Sequence, residues 1–344
     1  MKAVLYDTHG GPEVLRYGEV ADPEPGPGDV VVQVGATALN RLDIVQRAGH
    51  FTMPGFALPH IAGMDVAGTV ARVGEAVDDV SVGDRVLVDP SMSGVREDSL
   101  LAGRGDLYGD LGIIGATADG GYAELCLAPA SHVFPIPDGM SFDEAAVFPT
   151  CWMTAAHALF DVGKLQAGET VLIHAAGSGV STAGIQLACA AGATVLATAG
   201  TDEKCARAEE LGAAAAANNR TTDIAGWARS QTGGAGVDMD FEHFGPALWE
   251  ASMFSLGVRG RLVNCGNTTG DSVAIPSLGH LFHMGLRIIG SDPYRPEEFG
   301  PVWEQYCGGD FAAPVDSIMP LAEAAAAQER MLAGDLFGKI VLRP

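Results

Sequence analysis

The stretch Gly168-Glu169-Thr170-Val171-Leu172-Ile173-His174-Ala175-Ala176-Gly177-Ser178-Gly179-Val180-Ser181 decides the fold. It joins a short apolar β-branched run to a loop of small residues, and a helical pattern follows as far as Gly192. A second apolar run, 194–198, closes the unit. Strand, Gly-rich turn, helix and strand form the βαβ unit that binds a pyrophosphate at a helix N-terminus, because small residues let the backbone approach the phosphates. The stretch predicts a dinucleotide site, and the alternative is an ordinary glycine-containing βα turn.

The small residues of this loop are the first candidate cofactor contacts. They are Gly177, Ser178, Gly179, Val180 and Ser181. Ser181 stands where a third glycine usually allows close packing of strand and helix. Serine adds little bulk, so we expect cofactor binding to survive this departure.

Size and charge exclude several classes of protein. The chain has 344 residues, enough for about two domains, and no apolar run approaches the roughly 18 residues that a membrane span needs. The first residues, 1–7, begin directly as a strand without a signal-peptide core, so we expect a soluble, cytoplasmic protein. The net charge of −23 disfavours nucleic acid and anionic membranes as partners. The six cysteines include no C-x-x-C pair, which predicts reduced, mostly buried thiols.

The pattern of elements predicts two domains of an α/β protein. The first 135 residues contain short strands separated by Gly, Pro and Asp turns. The capping-box sequence Ser141-Phe142-Asp143-Glu144 is expected to open the helical entry to the cofactor domain. Alternating strands and helices continue to Gly290 and complete a six-stranded doubly wound parallel sheet. We therefore assign 141–290 to a Rossmann dinucleotide-binding domain and 1–140 with 291–344 to a β-rich domain.

Several short strings then appear in an order that resembles a known superfamily. They are 10–15 (GGPEVL), 25–30 (PGPGDV), 38–43 (ALNRLD), 83–86 (GDRV), 120–124 (GGYAE) and 337–342 (FGKIVL). Together they resemble the medium-chain dehydrogenase/reductase superfamily, in the branch of zinc-type alcohol dehydrogenase-like and quinone oxidoreductase-like proteins. The resemblance covers nearly the whole chain. It implies that the β-rich domain is GroES-like and catalytic, that an active-site cleft separates it from the Rossmann domain, and that the protein is a homodimer through its Rossmann domain.

The ligands of the superfamily's catalytic zinc are replaced in this sequence. By resemblance, the first Cys position is Asn40, the His position is Met64 and the second Cys position falls at about Thr150. Amide, thioether and hydroxyl groups do not replace two thiolates and an imidazole around Zn²⁺. The four cysteines of the structural-zinc lobe correspond to Gly94, Glu97, Leu100 and Tyr108. The sequence predicts that neither zinc is bound.

Loss of the Lewis acid changes the expected chemistry. Without zinc, interconversion of simple alcohols and aldehydes loses its means of polarising oxygen. The resemblance to zinc-free branches implies hydride transfer from NADPH to an activated C=C bond of an α,β-unsaturated carbonyl, or to a quinone, because hydrogen-bond donors can stabilise a delocalised enolate. Two alternatives remain: an NADPH-dependent imine or ketone reductase or cyclising enzyme, and a non-catalytic NADPH-binding redox sensor.

The end of the second Rossmann strand indicates the cofactor. NAD-specific domains usually place Asp or Glu there, whereas this strand ends in Thr198, followed by Ala199, Gly200 and Thr201. Lys204 and Arg220 stand where related enzymes contact a 2′-phosphate. Asp202 and Glu203 argue mildly against this. The sequence favours NADPH over NADH, with Lys204 as a plain surface charge being the alternative.

Candidate catalytic residues lie in the first domain. By resemblance Asn40 and Asp43 flank the cleft, and Asn40 either donates to substrate or nicotinamide or bonds the local turn. His50 is the favoured proton donor, because the family's catalytic Tyr position is Phe51 and an imidazole titrates in a useful range; a surface histidine is the alternative. Asp65, the acidic neighbour of the metal site, is expected to pair with Arg41 or another buried base.

The remaining candidates are further cofactor contacts. His243 follows the fourth Rossmann strand and is expected near the ribose and nicotinamide, while Gly266 follows the fifth and offers backbone groups to the carboxamide. The other predicted cofactor-binding residues are Thr154, Thr198, Gly200, Thr201, Ser291 and Lys339.

Overall fold

The computed structural model describes residues 1–92, 95, 97–102 and 112–344. The predicted lobe positions Gly94 and Tyr108 lie outside these residues. The chain forms two compact units. One comprises Met1–Thr150, Arg295–Gly309 and Ala313–Pro344, and the other comprises Cys151–Tyr294 and Asp310–Ala312. No helix in the described residues is long and apolar enough to cross a membrane.

The strands, in chain order, are β1 (Lys2–Leu5), β2 (Arg16–Glu19), β3 (Asp29–Ala38), β4 (Asp65–Val73), β5 (Arg85–Val88), β6 (Leu125–Pro129), β7 (Val133–Pro135), β8 (Thr170–Ile173), β9 (Thr194–Ala199), β10 (Ala215–Asn218), β11 (Val237–Glu242), β12 (Leu256–Asn264), β13 (Arg287–Gly290), β14 (Val315–Pro320) and β15 (Lys339–Arg343). The α-helices are α1 (Arg41–Arg47), α2 (Phe142–Ala146), α3 (Pro149–Ala156), α4 (Gly179–Ala190), α5 (Asp202–Glu210), α6 (Ile224–Gln231), α7 (Pro246–Ser255), α8 (Leu278–Met284), α9 (Pro296–Gly308) and α10 (Ala324–Ala333). A π-helical segment, His157–Val162, follows α3.

The first unit is built on a mixed sheet. Among its described residues the strand order is β14-β15-β3-β4-β5-β7, with β6 also paired to β3. β3 is buried along almost its whole length, because it has strands on both sides and apolar clusters over its faces. β15 pairs antiparallel with β3, which confirms that the C-terminal tail packs on the first domain. The β-rich first domain that the sequence predicts is confirmed.

The second unit is a six-stranded parallel sheet with the order β10-β9-β8-β11-β12-β13. The strand order runs outward from β8, first through β9 to β10 and then on the other side through β11 and β12 to β13. This arrangement defines the doubly wound fold. The prediction of a Rossmann domain is therefore confirmed. β8 and β9 are short, largely apolar and buried along most of their length, as the sheet's helical cover requires.

The capping box at Ser141 forms as predicted, with the Ser141 hydroxyl accepting from the Glu144 N–H at 3.2 Å. The expectation that this helix opens the cofactor domain is wrong. α2 belongs to the first unit and packs on β3 and β4, where a side chain at Gly35 would meet the ring of Phe142. The first boundary consequently falls at Thr150 instead of 140.

Candidate functional site

The small-residue loop that is predicted to bind a pyrophosphate joins β8 to α4. β8 ends at Ile173, and α4 begins at Gly179 with Ser178 in an extended backbone conformation at its N-cap. The Ser178 side chain makes no capping hydrogen bond. The first amides of a helix lack intrahelical partners, so those of α4 are left for a ligand. An N-terminal turn with unused N–H groups and a partial positive charge suits a pyrophosphate.

Ser181 is fully buried behind this loop and makes two side-chain hydrogen bonds. Its hydroxyl donates to the backbone carbonyl of His174 at 2.6 Å. Its Oγ lies 2.7 Å from Nε2 of His243, which follows β11. The departure from glycine therefore adds a polar connection between three segments of the loop region.

A buried histidine, which the sequence analysis missed, lies at the centre of this region. His174 follows β8 and has no exposed surface. Its Nδ1 lies 2.9 Å from the Thr198 hydroxyl, and its Nε2 lies 2.9 Å from Ser252 Oγ and 3.2 Å from Asp240 Oδ2. Burial alone would lower the pKa of His174, but attraction and hydrogen bonding to the Asp240 carboxylate, together with attraction to Glu242, raise the pKa overall. The histidine ties β8, β9, β11 and α7 together, and it uses the hydroxyl of Thr198 for that purpose.

A buried glutamate, Glu242, connects the loops after β11 and β12. Its Oε1 accepts the backbone N–H groups of Phe244 and Gly245 at 2.8 and 2.7 Å. Its Oε2 accepts from the Asn264 amide at 2.8 Å, and that amide also donates to the Gly266 carbonyl at 2.7 Å. Burial raises the pKa of Glu242 in spite of these donors. The carboxylate thus fixes the two loops that carry His243 and Gly266.

The end of β9 carries the features expected for a 2′-phosphate. A Cβ added to Gly200 would lie 3.3 Å from Nε and 3.5 Å from Cζ of Arg220, so the guanidinium lies over a residue that has no side chain. Thr201 is the N-cap of α5 and accepts from the Lys204 N–H at 3.3 Å. An exposed arginine and a lysine in the first helical turn therefore border the tip of β9.

The remaining predicted cofactor contacts lie on different elements of the chain. Thr154 lies half-buried in α3, and Ser291 follows β13, with its N–H bonded to the Asn264 carbonyl at 2.8 Å. Gly266 lies against His243, since a Cβ there would be 3.1 Å from His243 Cβ. Lys339 lies in the first unit, where it belongs to a different cluster.

That cluster occupies the positions that resemblance assigns to catalytic zinc. Asp65 lies at its centre, fully buried. Its Oδ1 accepts from the N–H and the hydroxyl of Thr150 at 2.9 and 2.6 Å, and its Oδ2 accepts from the Asn40 amide at 2.9 Å. The Lys339 ammonium lies 2.9 Å from Asp65 Oδ2 and 2.6 Å from Asn40 Oδ1. The buried base that pairs with Asp65 is therefore Lys339, and the alternative partner Arg41 is exposed.

These residues do not suit a zinc ion. The oxygens of Asn40 and Asp65 already accept from an ammonium that is 5% exposed, and a dication beside it would be repelled. The Asn40 Nδ2 also donates to the Ala38 carbonyl at 3.3 Å, so the amide is occupied by the cluster and its turn. Within either unit, taken by itself, the described residues contain no group of three converging His, Cys, Asp or Glu ligands.

Asp43 lies beside this cluster in a capping box with Asn40. Its Oδ2 accepts from the Asn40 N–H at 2.8 Å and from the Tyr122 hydroxyl at 3.0 Å, while its buried Oδ1 has no partner among the described residues. Burial raises the pKa of Asp43 to about 6, although both donors oppose the change. Burial, with Asp43 nearby, also raises the pKa of Tyr122. Asp43 therefore joins the turn of α1 to the strand segment around Tyr122.

His50 follows α1 in the chain and is not part of this cluster. It is exposed, and its backbone N–H donates to the Val45 carbonyl at 3.0 Å. Phe51 beside it is 50% exposed. The structure therefore brings Asn40, Asp43, Asp65 and Lys339 together and leaves His50 in contact with solvent.

The residues that the sequence analysis missed share a recognisable position. His174, Asp240 and Asn264 are polar residues within or directly after apolar Rossmann strands. The carboxyl ends of parallel strands lie at one edge of the sheet, and doubly wound folds bind their ligands there. A polar residue near that edge is therefore a candidate for the ligand site. Their mutual contacts depend on strand order, which local sequence does not state.

Comparison with known proteins agrees with both units. Residues 26–138 match the family model of the alcohol dehydrogenase GroES-like domain, and residues 179–306 match that of zinc-binding dehydrogenases. A quinone oxidoreductase of Pseudomonas aeruginosa is 30% identical over 352 aligned positions, covering 100% of this chain and 99% of that protein. The chain therefore belongs to the medium-chain dehydrogenase/reductase superfamily, in its quinone oxidoreductase-like branch, and it is an oxidoreductase.

Solved structures give the same classification. A structure described as an NAD-dependent alcohol dehydrogenase has 35% identity and a TM-score of 0.92, with both chains covered completely. A mycobacterial protein complexed with NADPH has 29% identity and a TM-score of 0.82, again with complete coverage of both chains. The superfamily prediction is thus confirmed.

Proposed function

We propose that this protein is a zinc-independent, NADPH-dependent oxidoreductase that transfers hydride to an activated C=C bond of an α,β-unsaturated carbonyl or to a quinone. The observation that carries the proposal is the Asp65 cluster. At the positions where zinc-dependent relatives hold a cation, this chain has a carboxylate whose partners are an ammonium, an amide and a hydroxyl. A site without a Lewis acid favours acceptors whose developing charge is delocalised.

The cofactor assignment rests on the second unit. NADPH, when bound, supplies the hydride. The α4 N-terminus would hold its pyrophosphate, and Arg220 over Gly200, with Lys204, would contact the 2′-phosphate. The similar mycobacterial protein complexed with NADPH supports the same choice, whereas the similar alcohol dehydrogenase is described as NAD-dependent. The missing acid and the guanidinium at the tip of β9 favour the phosphorylated cofactor.

The proton that follows the hydride has two proposed sources. His50 is exposed, so its imidazole would be reprotonated from bulk water between turnovers. Water itself is the second source, because the Thr150 hydroxyl and the Asn40 amide already donate their hydrogen bonds within the cluster. Replacement of His50 by Ala distinguishes them: a slower proton step with an altered pH profile indicates His50, and an unchanged rate indicates water.

The first experiment is consumption of NADPH with a panel of enones, quinones, enoyl thioesters and simple aldehydes, with a chelator present throughout. Turnover of the conjugated acceptors supports the proposal, and deuterated NADPH then shows which atom receives the hydride. Reaction of aldehydes alone, abolished by the chelator, would overturn it. Tight NADPH binding without turnover of any acceptor would favour the redox-sensor alternative.

A homodimer through the second unit also belongs to this proposal. The exposed large apolar side chains of that unit are concentrated on β12, α8 and β13, and they include Val258, Leu278, Phe282 and Ile288 at 40–70% exposure. β13 pairs only with β12 among the described strands, so its outer edge is open. Apolar patches and open edges of this kind are usually covered by a partner, and a second copy of this chain would extend the sheet.

A further inference from the structure

The hydroxyl of Ser181 is a hydrogen-bond relay. A serine hydroxyl has one proton, and that of Ser181 goes to the His174 carbonyl at 2.6 Å. The contact of 2.7 Å with His243 Nε2 must then be a bond that the imidazole donates. The direction of this bond fixes the proton of His243 on Nε2.

The environment keeps the His243 ring neutral. Burial lowers its pKa to about 4, and nearby His174 acts in the same direction, while the backbone carbonyls of His174 and of His243 itself oppose the change only in part. In a neutral imidazole with its proton on Nε2, the other nitrogen, Nδ1, is an acceptor. The hydrogen bond of the ring to another described side chain is at Nε2, and the remaining backbone oxygen beside the ring, besides that of His174, is the carbonyl of His243 itself.

His243 stands where a bound dinucleotide is expected. It follows β11 directly and packs against Gly266, which follows β12. These are carboxyl ends of adjacent parallel strands, the edge at which doubly wound sheets bind their ligands. Glu242 and Asn264 hold both loops in place beneath it.

We propose that Ser181 is a positioning residue that holds His243 in the Nε2–H form, so that Nδ1 accepts a hydrogen bond from a ribose hydroxyl of the bound nicotinamide nucleotide. The inference rests on the proposed cofactor and gives the serine in the glycine fingerprint a specific task. A purely steric role predicts the opposite behaviour, since glycine would fit the same position at least as well.

Substitutions at Ser181 separate the two roles. NADPH dissociation constants are measured by fluorescence titration for the wild type and for Ser181→Gly, Ser181→Ala and Ser181→Thr. Loss of the hydroxyl should weaken binding about 3- to 10-fold, the range of one hydrogen bond, and threonine should restore it. His243→Ala should weaken binding similarly, and adding Ser181→Ala to it should have little further effect, because the two act as one unit.

Thr182→Val is the matched control, since the Thr182 hydroxyl is also buried in the first turn of α4 but, among the described residues, bonds only to the Gly179 carbonyl at 2.8 Å. Its affinity should equal that of the wild type. Glycine at 181 binding NADPH as tightly as serine would overturn the proposal.

A spectroscopic measurement tests the tautomer without any cofactor. Long-range ¹H–¹⁵N correlation spectra of the histidine rings should show His243 neutral and protonated on Nε2 from pH 8 down to pH 5.5. Ser181→Ala should produce a tautomer mixture. An Nδ1–H or doubly protonated ring in the wild type contradicts the inference. If the tautomer is as stated but the wild type binds neither NADPH nor NADH, the proposed function fails instead, and the ribose contact fails with it.

Discussion

The ammonium of Lys339 lies 2.9 Å from Asp65 Oδ2, with 5% and 0% of the two side chains exposed. This buried ion pair joins β15 to the first residue of β4, and Asn40 and Thr150 complete its hydrogen bonds. The Asp65 carboxylate thus accepts from four donor groups, which belong to Lys339, Asn40 and Thr150.

Removal of Lys339 should destabilise the protein strongly. Lys339→Met leaves Asp65 charged and buried without its counter-ion, which costs about 3–5 kcal/mol. Asp65→Asn in the same chain should recover most of this loss. Urea unfolding provides the measurement. Lys2→Met is the control, because its exposed pair with Glu19 at 3.1 Å contributes about 0–1 kcal/mol; equal effects of the two substitutions would contradict the role of the buried pair.

Metal removal should leave the activity unchanged. The oxygens of Asp65 and Asn40 already accept from the Lys339 ammonium, so dialysis against a chelator should alter neither turnover of conjugated acceptors nor the melting temperature. Elemental analysis of the purified protein should find far less than one zinc per chain. Stoichiometric zinc whose removal abolishes activity would show that the cluster rearranges to bind metal.

Arg220 should determine the choice between NADPH and NADH. Arg220→Ala removes a guanidinium from over Gly200 and should weaken NADPH binding about 10- to 100-fold, the value of a hydrogen bond to a charged group. NADH binding should hardly change, because it has no 2′-phosphate. Lys164→Asn removes an exposed charge elsewhere in the second unit and serves as control. A parallel loss of both cofactors would indicate a structural role for Arg220.

The double variant Gly200→Asp/Arg220→Ala extends this test. A carboxylate at position 200 restores the acid that binds a ribose diol in NAD-specific domains. The ratio of the two dissociation constants should therefore invert in favour of NADH. Persistence of the NADPH preference would mean that Lys204 or another group selects the cofactor.

Ionisation of Asp43 should make stability fall as the pH rises. Burial raises the folded-state pKa of Asp43 to about 6, above its ordinary value of 3.8. The folded state therefore holds this proton more tightly than the unfolded state, so the contribution is complete below about pH 4 and is lost as the pH rises through about 6. Asp43→Asn keeps an acceptor for the Asn40 N–H and the Tyr122 hydroxyl but carries no charge.

The free energy of unfolding of the Asp43→Asn protein relative to the wild type should thus increase between pH 4.5 and pH 8. Asp79→Asn, at an exposed position, should show no such trend. A difference that is constant with pH would show that Asp43 is ionised throughout this range.

Charge placed on the apolar patch of the second unit should dissociate the dimer. Leu278 and Phe282 are 69% and 68% exposed and lie four residues apart on α8. Leu278→Glu/Phe282→Glu would bury two carboxylates in an interface between copies, which is costly. Light scattering after size exclusion should report a dimer for the wild type and a monomer for this variant. Leu332→Glu, 47% exposed on α10, should leave the mass unchanged; a monomeric wild type would refute the interface.

The sequence was sufficient for the Rossmann unit because its signals are local. The run 171–173, the small residues of 175–181 and the rhythm of later strands predict a six-stranded sheet that the structure contains. The same locality explains why the helix at 142–146 was assigned to the wrong domain. A capping box shows where a helix begins, but it does not show which domain the apolar face of that helix packs against. Gly35, which receives the Phe142 ring, is more than a hundred residues away.

Partners far apart in the chain were decided by tertiary structure. The sequence by itself determined which residue types stand at the positions that the resemblance assigns to the zinc ligands. It did not show that Lys339, 274 residues from Asp65, supplies the counter-ion. Nor did it show that His243 bonds to Ser181, which stands 62 residues earlier in the chain. Residue identity and periodicity are local properties, whereas the pairing of buried charges depends on strand order and register. Burial makes these pairs important for stability, because a charge or donor that is removed from water must find its partner within the folded chain.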